Sequence, residues 1–492
     1  MMYYPTYQEL KEFNNKGFNY LPVGIKKKIS LFDPVKLLNN IKKEEKYNFI
    51  LESSKIGRYT YIGSDPLYII RGKNSNTSII HREGKREDVI GNPLNTLKKI
   101  MDLYTVPKIK KLPKFYGGAV GYLSYDMVKY YETLPDTAKD DLKLPDLYFM
   151  IYDKLWIYDN RESELYYIEY IEVKEGNDLK KIYHDKIKEI ESIFYNVSGK
   201  KDIAPEDISI SKEKIERTVT EKSYTQEEFT SAVNKVKKYI SEGDVFQVNI
   251  SIRHSRQLRT AGINIYRHLR HINPSPYMGY LNLNDIQLVS ASPELLIEIN
   301  GKTIQTRPIA GTRPRGNNEI EDKKLVHELI SNEKETAEHI MLVDLERNDL
   351  GRVCKYGTVK VNELMAVEKY SHVIHIVSNV IGEIDSQNDI YNCIKATFPG
   401  GTITGAPKIR TMEIIEELEP VKRGPYTGSM GWIGFNSNLE LNILIRTLVI
   451  KDGVGYIQAG AGIVIDSIPE NEYIESLNKA EALWVAVESS ER

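Results

Sequence analysis

The chain has 492 residues, with 67 Lys and Arg against 69 Asp and Glu, a formal net charge of −2 and 41% hydrophobic residues. That length exceeds the roughly 250–300 residues at which one core stops growing, so two domains or one elaborate domain are expected. The near-neutral balance gives no reason for nucleic acid or an anionic membrane as partner. No apolar run nears the roughly 20 residues of a membrane helix, and Cys354 and Cys393 alone make neither a disulfide framework nor a metal cluster. Met1 to Phe13 lacks an apolar core and a small-residue cleavage site, so the expected location is cytoplasmic.

In chain order, Tyr47 to Glu52, Arg58 to Gly63 and Tyr68 to Arg71 read as short strands separated by Gly, Ser, Asp and Pro. Leu147 to Tyr158 and Glu164 to Ile171 read as a hairpin around Asn160–Ser163. Lys180 to Phe194 has helical spacing. Residues 196–222 are polar with Gly, Pro and Ser, so they are expected to link a region 1–195 to a region 223–492. Thr225 and Glu228 have capping-box spacing before Phe229, Val233, Val236 and Ile240, which predicts a helix ended by Gly243. Val245 to Ile252 then alternates as a strand. From there strands and helices mix without a βαβ rhythm, so the class is α+β and not a doubly wound sheet.

Five features carry chemistry. The helical stretch Glu321 to Leu345 presents Glu335 and Glu338 three apart, and a C-terminal helix presents Glu470, Glu472 and Glu475. Two such helices could meet around a hard cation such as Mg²⁺, although spacing alone favours two solvated faces. Gly400 to Lys408 (GGTITGAPK) leads into Pro407, a good first helical residue, and backbone N–H groups at such a start suit a carboxylate or phosphate. The likeness to a phosphate loop is weak, because Ala406-Pro407 stands where that motif needs Lys-Ser/Thr, and a structural turn is a fair competitor. Gly460-Ala461-Gly462 allows close backbone approach or a tight bend. Arg446 interrupts an apolar strand, Leu441 to Ile450, and a charge there needs an anion. His375 shares a face with Val373, where a lone His is more often a core residue than an acid–base group.

Taken together, Thr306 to Arg313 (TRPIAGTR), Glu338 to Leu345, Arg347 to Gly351, the 401–408 loop, Arg423 to Tyr426 and Ala459 to Val464 resemble the chorismate-utilising enzymes. The resemblance runs from about Ser223 to the C-terminus with order and spacing intact. The N-terminal part resembles the family's amino-terminal domain through Leu51-Glu52-Ser53, Gly57-Arg58-Tyr59 and Gly117 to Tyr125. The fold implied is a large β-sandwich core with helices packed outside, shared between the two sequence regions. Within the family the likeness is to the anthranilate-forming branch, which adds ammonia at C2 of chorismate, expels the C4 hydroxyl and eliminates pyruvate. Neither cysteine sits in a Gly-x-Cys-x-Gly turn, so a separate glutamine amidotransferase subunit is implied as ammonia source, in a hetero-oligomer.

Two positions separate sister activities. Ala310 stands where aminodeoxychorismate synthases typically carry a nucleophilic Lys. Gln247 stands where isochorismate synthases carry a Lys base for water, and a neutral amide cannot take that proton. The resemblance assigns Glu338 and Glu475 to Mg²⁺, with Glu335 and Glu472 in its outer shell through water. It assigns Glu294, in Ser292-Pro293-Glu294, as the acid for the departing hydroxyl, and His375 to the pyruvate-eliminating step. Gln247 and Thr402 complete the catalytic set. Tyr426, Arg446, Gly460, Ala461 and Gly462 match contacts to the enolpyruvyl carboxylate, and Gly311, Thr312 and Thr402 match further substrate contacts. Ser53, Pro276, Tyr277 and Met278 match a site for tryptophan as feedback inhibitor, with Ile50 and Gly279 as departures from that pattern. Gly400 and Thr404 replace the commoner Ala and Ser. A non-catalytic tryptophan- or chorismate-binding regulator is the competing class, and the intact set of Glu294, Glu338, His375 and Glu475 argues against it.

Overall fold

Long runs of alternating and doubly buried apolar residues build two large antiparallel sheets in the computed structural model, which describes residues 2–53, 57–174, 176, 178–199, 203–205, 221–370 and 373–492. Of the expected linker, residues 200–202 and 206–220 lie outside the described residues; residues 196–198 end the Leu179–Ser198 helix.

Among the described residues one sheet has 13 strands and the other 12. Each combines N-terminal with C-terminal strands, six with seven in the first sheet and five with seven in the second. The first sheet joins its halves where Asn48–Glu52 pairs with Tyr277–Asn282, Glu52 facing Met278. The second joins where Gly118–Leu123 pairs with Ser429–Gly434. Phe49, Phe115, Phe149, Leu288, Ile297 and Trp432 fill the space between the sheets. The Phe115 and Trp432 rings stack there at 4.8 Å, a geometry worth roughly 0.5–1.5 kcal/mol beyond burial.

Helices cover the outer face of the first sheet. Leu179–Ser198, Gly262–Ile272 and Pro469–Ser490 bring Phe194, Leu269 and Trp484 into one cluster. Gln226–Ser241 packs Phe229 and Val233 against Val248 and Ile250. Its expected capping box is present: Thr225 Oγ1 accepts from the Glu228 N–H at 3.2 Å, and Glu228 accepts from the Thr225 N–H at 2.8 Å. No helix among the described residues is long and apolar enough to cross a membrane.

Four local expectations are corrected. Leu147 to Tyr158 is not one hairpin arm. It divides at Asp153 into Leu147–Tyr152, in the second sheet, and Lys154–Asp159, in the first. Leu441 to Ile450 divides likewise into Leu439–Asn442 and Thr447–Lys451, in different sheets. Strands buried on both faces read as one apolar run, so the crossing between sheets leaves no hydrophobic signature. The stretch Glu321 to Leu345 is two helices, Glu319–Ser331 and Glu333–Gly351, because the Asn332 side chain caps the second by accepting from the Glu335 N–H at 3.0 Å. Pro407 is the N-cap of Lys408–Leu418 and not its first turn.

Candidate active site

The expected site residues converge where the chain passes between the sheets. Ser292-Pro293-Glu294 carries it from Ile286–Ser292 in the first sheet to Leu295–Asn300 in the second. Residues 443–446 carry it back beside that crossing. The two are tied together: Ile443 N–H donates to the Glu294 carbonyl at 3.0 Å, and the Ser292 hydroxyl donates to the Ile443 carbonyl at 2.6 Å. Glu294 and Arg446 therefore stand on adjacent crossings that open onto the interior.

The Gly-rich loop closes over this point. Gly405–Ala406 pairs with Gln247–Val248, and the Asn249 N–H donates to the Thr404 carbonyl at 2.9 Å. Gly405 has φ +127°, and a Cβ there would lie 2.0 Å from the Gln247 carbonyl, so only glycine fits. Lys408 anchors the loop's far end on Asp349.

Glu294 is 6% exposed and its Oε1 has no hydrogen-bond partner among the described residues. Burial pushes its carboxyl up to about 7; the Thr402 hydroxyl, the backbone at Ile309 and the Lys479 ammonium oppose that weakly. A buried carboxyl of this kind is still an acid near neutral pH. With Glu294 in the expected role of acid, kcat/KM should fall about tenfold per pH unit above about 7. The measurement requires a fixed concentration of free amine nucleophile; a profile flat from pH 6 to 9 would remove the assigned role.

His375 Nδ1 lies 3.1 Å from the Gly311 carbonyl and 3.1 Å from Thr312 Oγ1. The carbonyl can only accept, which assigns the proton to Nδ1 and leaves Nε2 with a free lone pair. Burial lowers the ring's pKa below the usual value, with the nearby Arg446 guanidinium acting in the same direction against the Gly311 bond, so the imidazole is neutral at pH 7. Gly311 has φ +64°, and a Cβ there would come within 2.5 Å of Glu335 Oε2.

Arg446 has φ +52° and donates to the Lys479 carbonyl at 2.6 Å. Desolvation lowers its pKa against the Tyr426 phenol and Glu475, and among the described residues no carboxylate lies within ion-pair distance of it. Such a guanidinium is a ready seat for a ligand carboxylate. Gly460 and Gly462 border the same space: a Cβ on Gly462 would meet Gln247 Nε2 at 2.3 Å, and the Gly460 carbonyl accepts from Lys479 Nζ at 2.9 Å. Ala461, between them, turns its methyl into the core under the Gln226–Ser241 helix.

Four expected cation ligands lie on two helices facing this region. Glu338 accepts from Gln247 Nε2 at 2.9 Å. Glu335 Oε2 is buried without a partner, while its Oε1 pairs with Arg313 at 2.7 Å. Glu475 pairs with Lys479 at 2.8 Å, and Glu472 lies one turn before it on Pro469–Ser490. Among the described residues no three His, Cys, Asp or Glu side chains gather into a metal cluster. An all-oxygen donor set with an unpartnered buried carboxylate oxygen nevertheless fits a hard divalent ion that keeps waters or takes substrate oxygens.

The four residues expected at the inhibitor site are also gathered. Ser53, Pro276, Tyr277 and Met278 line one cavity of about 410 Å³ between the sheets, with Trp432 and Glu440 on its other wall. Cross-strand pairing places Tyr277 opposite Ser292, two residues from Glu294.

Other residues of the site escaped the sequence reading. Glu346 is 3% exposed, and burial together with Asp349 raises its carboxyl to about 8. Its spacing three residues before Asp349 was visible, but the burial that makes it unusual was not. Lys479, four residues after Glu475 on the same helix, is bonded to Glu475 and to the Gly460 carbonyl; its i, i+4 spacing from Glu475 was the available signal. Asn249, two residues from Gln247 on the same strand face, has a buried Oδ1 without a partner; strand alternation was the available signal.

A buried acid, a neutral imidazole and a guanidinium with no carboxylate partner among the described residues, brought together by the crossings of an α+β fold, suit acid–base chemistry on a small anion. A family model described as chorismate binding enzyme matches residues 47–484, and the chain belongs to that family. It is 43% identical over 495 residues to anthranilate synthase component 1 of Acetivibrio thermocellus, covering 99% of each chain. It is 47% identical over 449 residues to aminodeoxychorismate synthase component 1 of Bacillus subtilis (strain 168), covering 91% of this chain and 93% of the relative. The crystal structure of anthranilate synthase component I from Streptococcus pneumoniae TIGR4 superposes with a TM-score of 0.74 at 34% identity, over 88% of this chain and 93% of that one.

Proposed function

We propose that this chorismate-binding enzyme is an anthranilate synthase component I, which converts chorismate and ammonia to anthranilate and pyruvate under feedback inhibition by tryptophan. The observation that carries the reading is the inert nucleophile side of the site. Ala310 offers only a methyl, and Gln247, already bonded to Glu338, is no base. Neither a covalent lysine adduct nor activated water is available, so free ammonia attacks. The gathering of Ser53, Pro276, Tyr277 and Met278 around one cavity supports the regulatory part.

In this reading Arg446 and Tyr426 hold the enolpyruvyl carboxylate. Glu294, still protonated, gives its proton to the C4 hydroxyl as it leaves. His375 offers the Nε2 lone pair to the C2 hydrogen while pyruvate departs. Glu338 and Glu475 would hold Mg²⁺, with Glu335 and Glu472 as outer carboxylates; bound there, the ion would supply charge neutralisation for the ring carboxylate. Residues 223–492 form the catalytic region, residues 1–195 contribute to the tryptophan site, and a cytoplasmic glutamine amidotransferase subunit supplies the ammonia.

The 47% identity to an aminodeoxychorismate synthase favours a second reading, in which the enolpyruvyl group is retained. One assay separates them: chorismate, Mg²⁺ and ammonium with the purified chain, following anthranilate fluorescence and released pyruvate, with matched runs containing tryptophan or a chelator. Anthranilate and pyruvate appearing together, lost with chelator and reduced by tryptophan, support the first reading. Aminated product without pyruvate supports the second, and untouched chorismate sinks both.

A further inference from the structure

We propose that Asn249 and Gln247 form the seat of the amine nucleophile, an inference that rests on the amination reading above. Both side chains project from the same face of Gln247–Gln257, the face turned to the interior, because strand residues two apart point the same way. The opposite face, with Val248, Ile250 and Ile252, is packed under helices. Gln247 Oε1 and Asn249 Oδ1 are both buried and without a hydrogen-bond partner among the described residues. Two buried amide oxygens left unpaired on one strand face are costly, and a ligand that donates hydrogen bonds relieves both.

The neighbouring strand can pass this close to both side chains only because it carries glycine opposite them. A Cβ on Gly462 would strike Gln247 Nε2 at 2.3 Å, and a Cβ on Gly460 would lie 2.9 Å from Asn249 Oδ1. The seat is also rigid. The Asn249 N–H donates to the Thr404 carbonyl at 2.9 Å, and its carbonyl accepts from Arg423 at 2.7 Å. Gln247 is held through Nε2 by Glu338, which leaves its oxygen, and not its nitrogen, as the group without a partner.

The chemistry of the pair selects its occupant. Two carbonyl oxygens repel a carboxylate and accept N–H or O–H. Ammonia gives them two N–H bonds and keeps its lone pair free to attack. Water in the same seat would need a base to take its proton, and neither amide is one. In the step itself the nitrogen lone pair forms the C2–N bond, the two ring π pairs shift, and the C4–O bond breaks. The hydroxide leaves as water with the Glu294 proton, and the extra proton on nitrogen is released to solvent. As nitrogen gains positive charge its N–H bonds to the two oxygens strengthen, so the seat favours the transition state.

The test is the ammonium dependence of product formation by N249L and N249D, each shown to melt like the wild-type chain. N249L should raise KM for ammonium about 5- to 10-fold, the worth of one hydrogen bond, with KM for chorismate within twofold. N249D keeps the acceptor and should restore most of the ammonium affinity. An unchanged ammonium KM in N249L, or equal rises in both KM values, overturns the seat while leaving the amination reading standing. A hydroxylated product formed by the wild-type chain without ammonium, at the rate of amination, places water there and also overturns it. A wild-type chain that forms no aminated product from chorismate and ammonium overturns the seat together with the reading beneath it.

Discussion

Glu294→Gln is expected to lower kcat by about 10²- to 10⁴-fold while KM for chorismate changes little. The amide preserves the shape and polarity of the buried side chain beside Thr402 but has no proton acidic enough for a departing hydroxyl. Stability should move the other way. Burial holds the carboxyl at about 7 against an ordinary 4.5, so ionising it inside the fold costs on the order of 3 kcal/mol. That cost is absent below the unfolded pKa and fully present above the folded one. The Gln variant never bears it, so at pH 8 it should melt no lower than the wild-type chain, and higher if the backbone bonds of Ser292 and Ile443 persist. Lost turnover in an equally stable protein separates chemistry from scaffold; unchanged turnover would end the assignment of Glu294 as the acid.

Arg446→Met should weaken substrate binding by about 30- to 5,000-fold in KM, since removing one member of a desolvated charge pair costs roughly 2–5 kcal/mol. Met keeps the unbranched stem that the positive φ tolerates and removes the guanidinium. In the free enzyme Arg446 faces no carboxylate within ion-pair distance among the described residues and donates only to a neutral acceptor, the Lys479 carbonyl. Removing it therefore should not destabilise the fold. Steady-state kinetics with chorismate and a thermal melt decide the matter. A KM within threefold of wild type, or a large fall in melting temperature, would make Arg446 a structural residue instead.

Much of this was legible one residue at a time. Caps, turns and helix faces obey local rules, so Thr225 and Glu228 announced their helix, and a series of short motifs in unbroken order announced the family. Residue types also announced the candidate chemistry: carboxylates at helical spacing, a glycine-rich loop before a helix, an arginine among aliphatic residues. These depend only on neighbours within a few positions, which the chain itself supplies.

Tertiary structure alone decided the rest. Leu147 to Tyr158 and Leu441 to Ile450 each read as one strand because a strand buried on both faces looks the same whichever sheet it joins. The division puts Arg446 at a crossing beside Glu294. Gln247 reaches Glu338 across 91 positions, and the pairing of Glu52 with Met278 brings Ser53 to the wall of the Tyr277 cavity. No local pattern encodes those meetings. Even the acidity of Glu294 belongs to the fold, for its letter in the sequence is that of any glutamate, and only the loss of water around it raises its carboxyl to about 7.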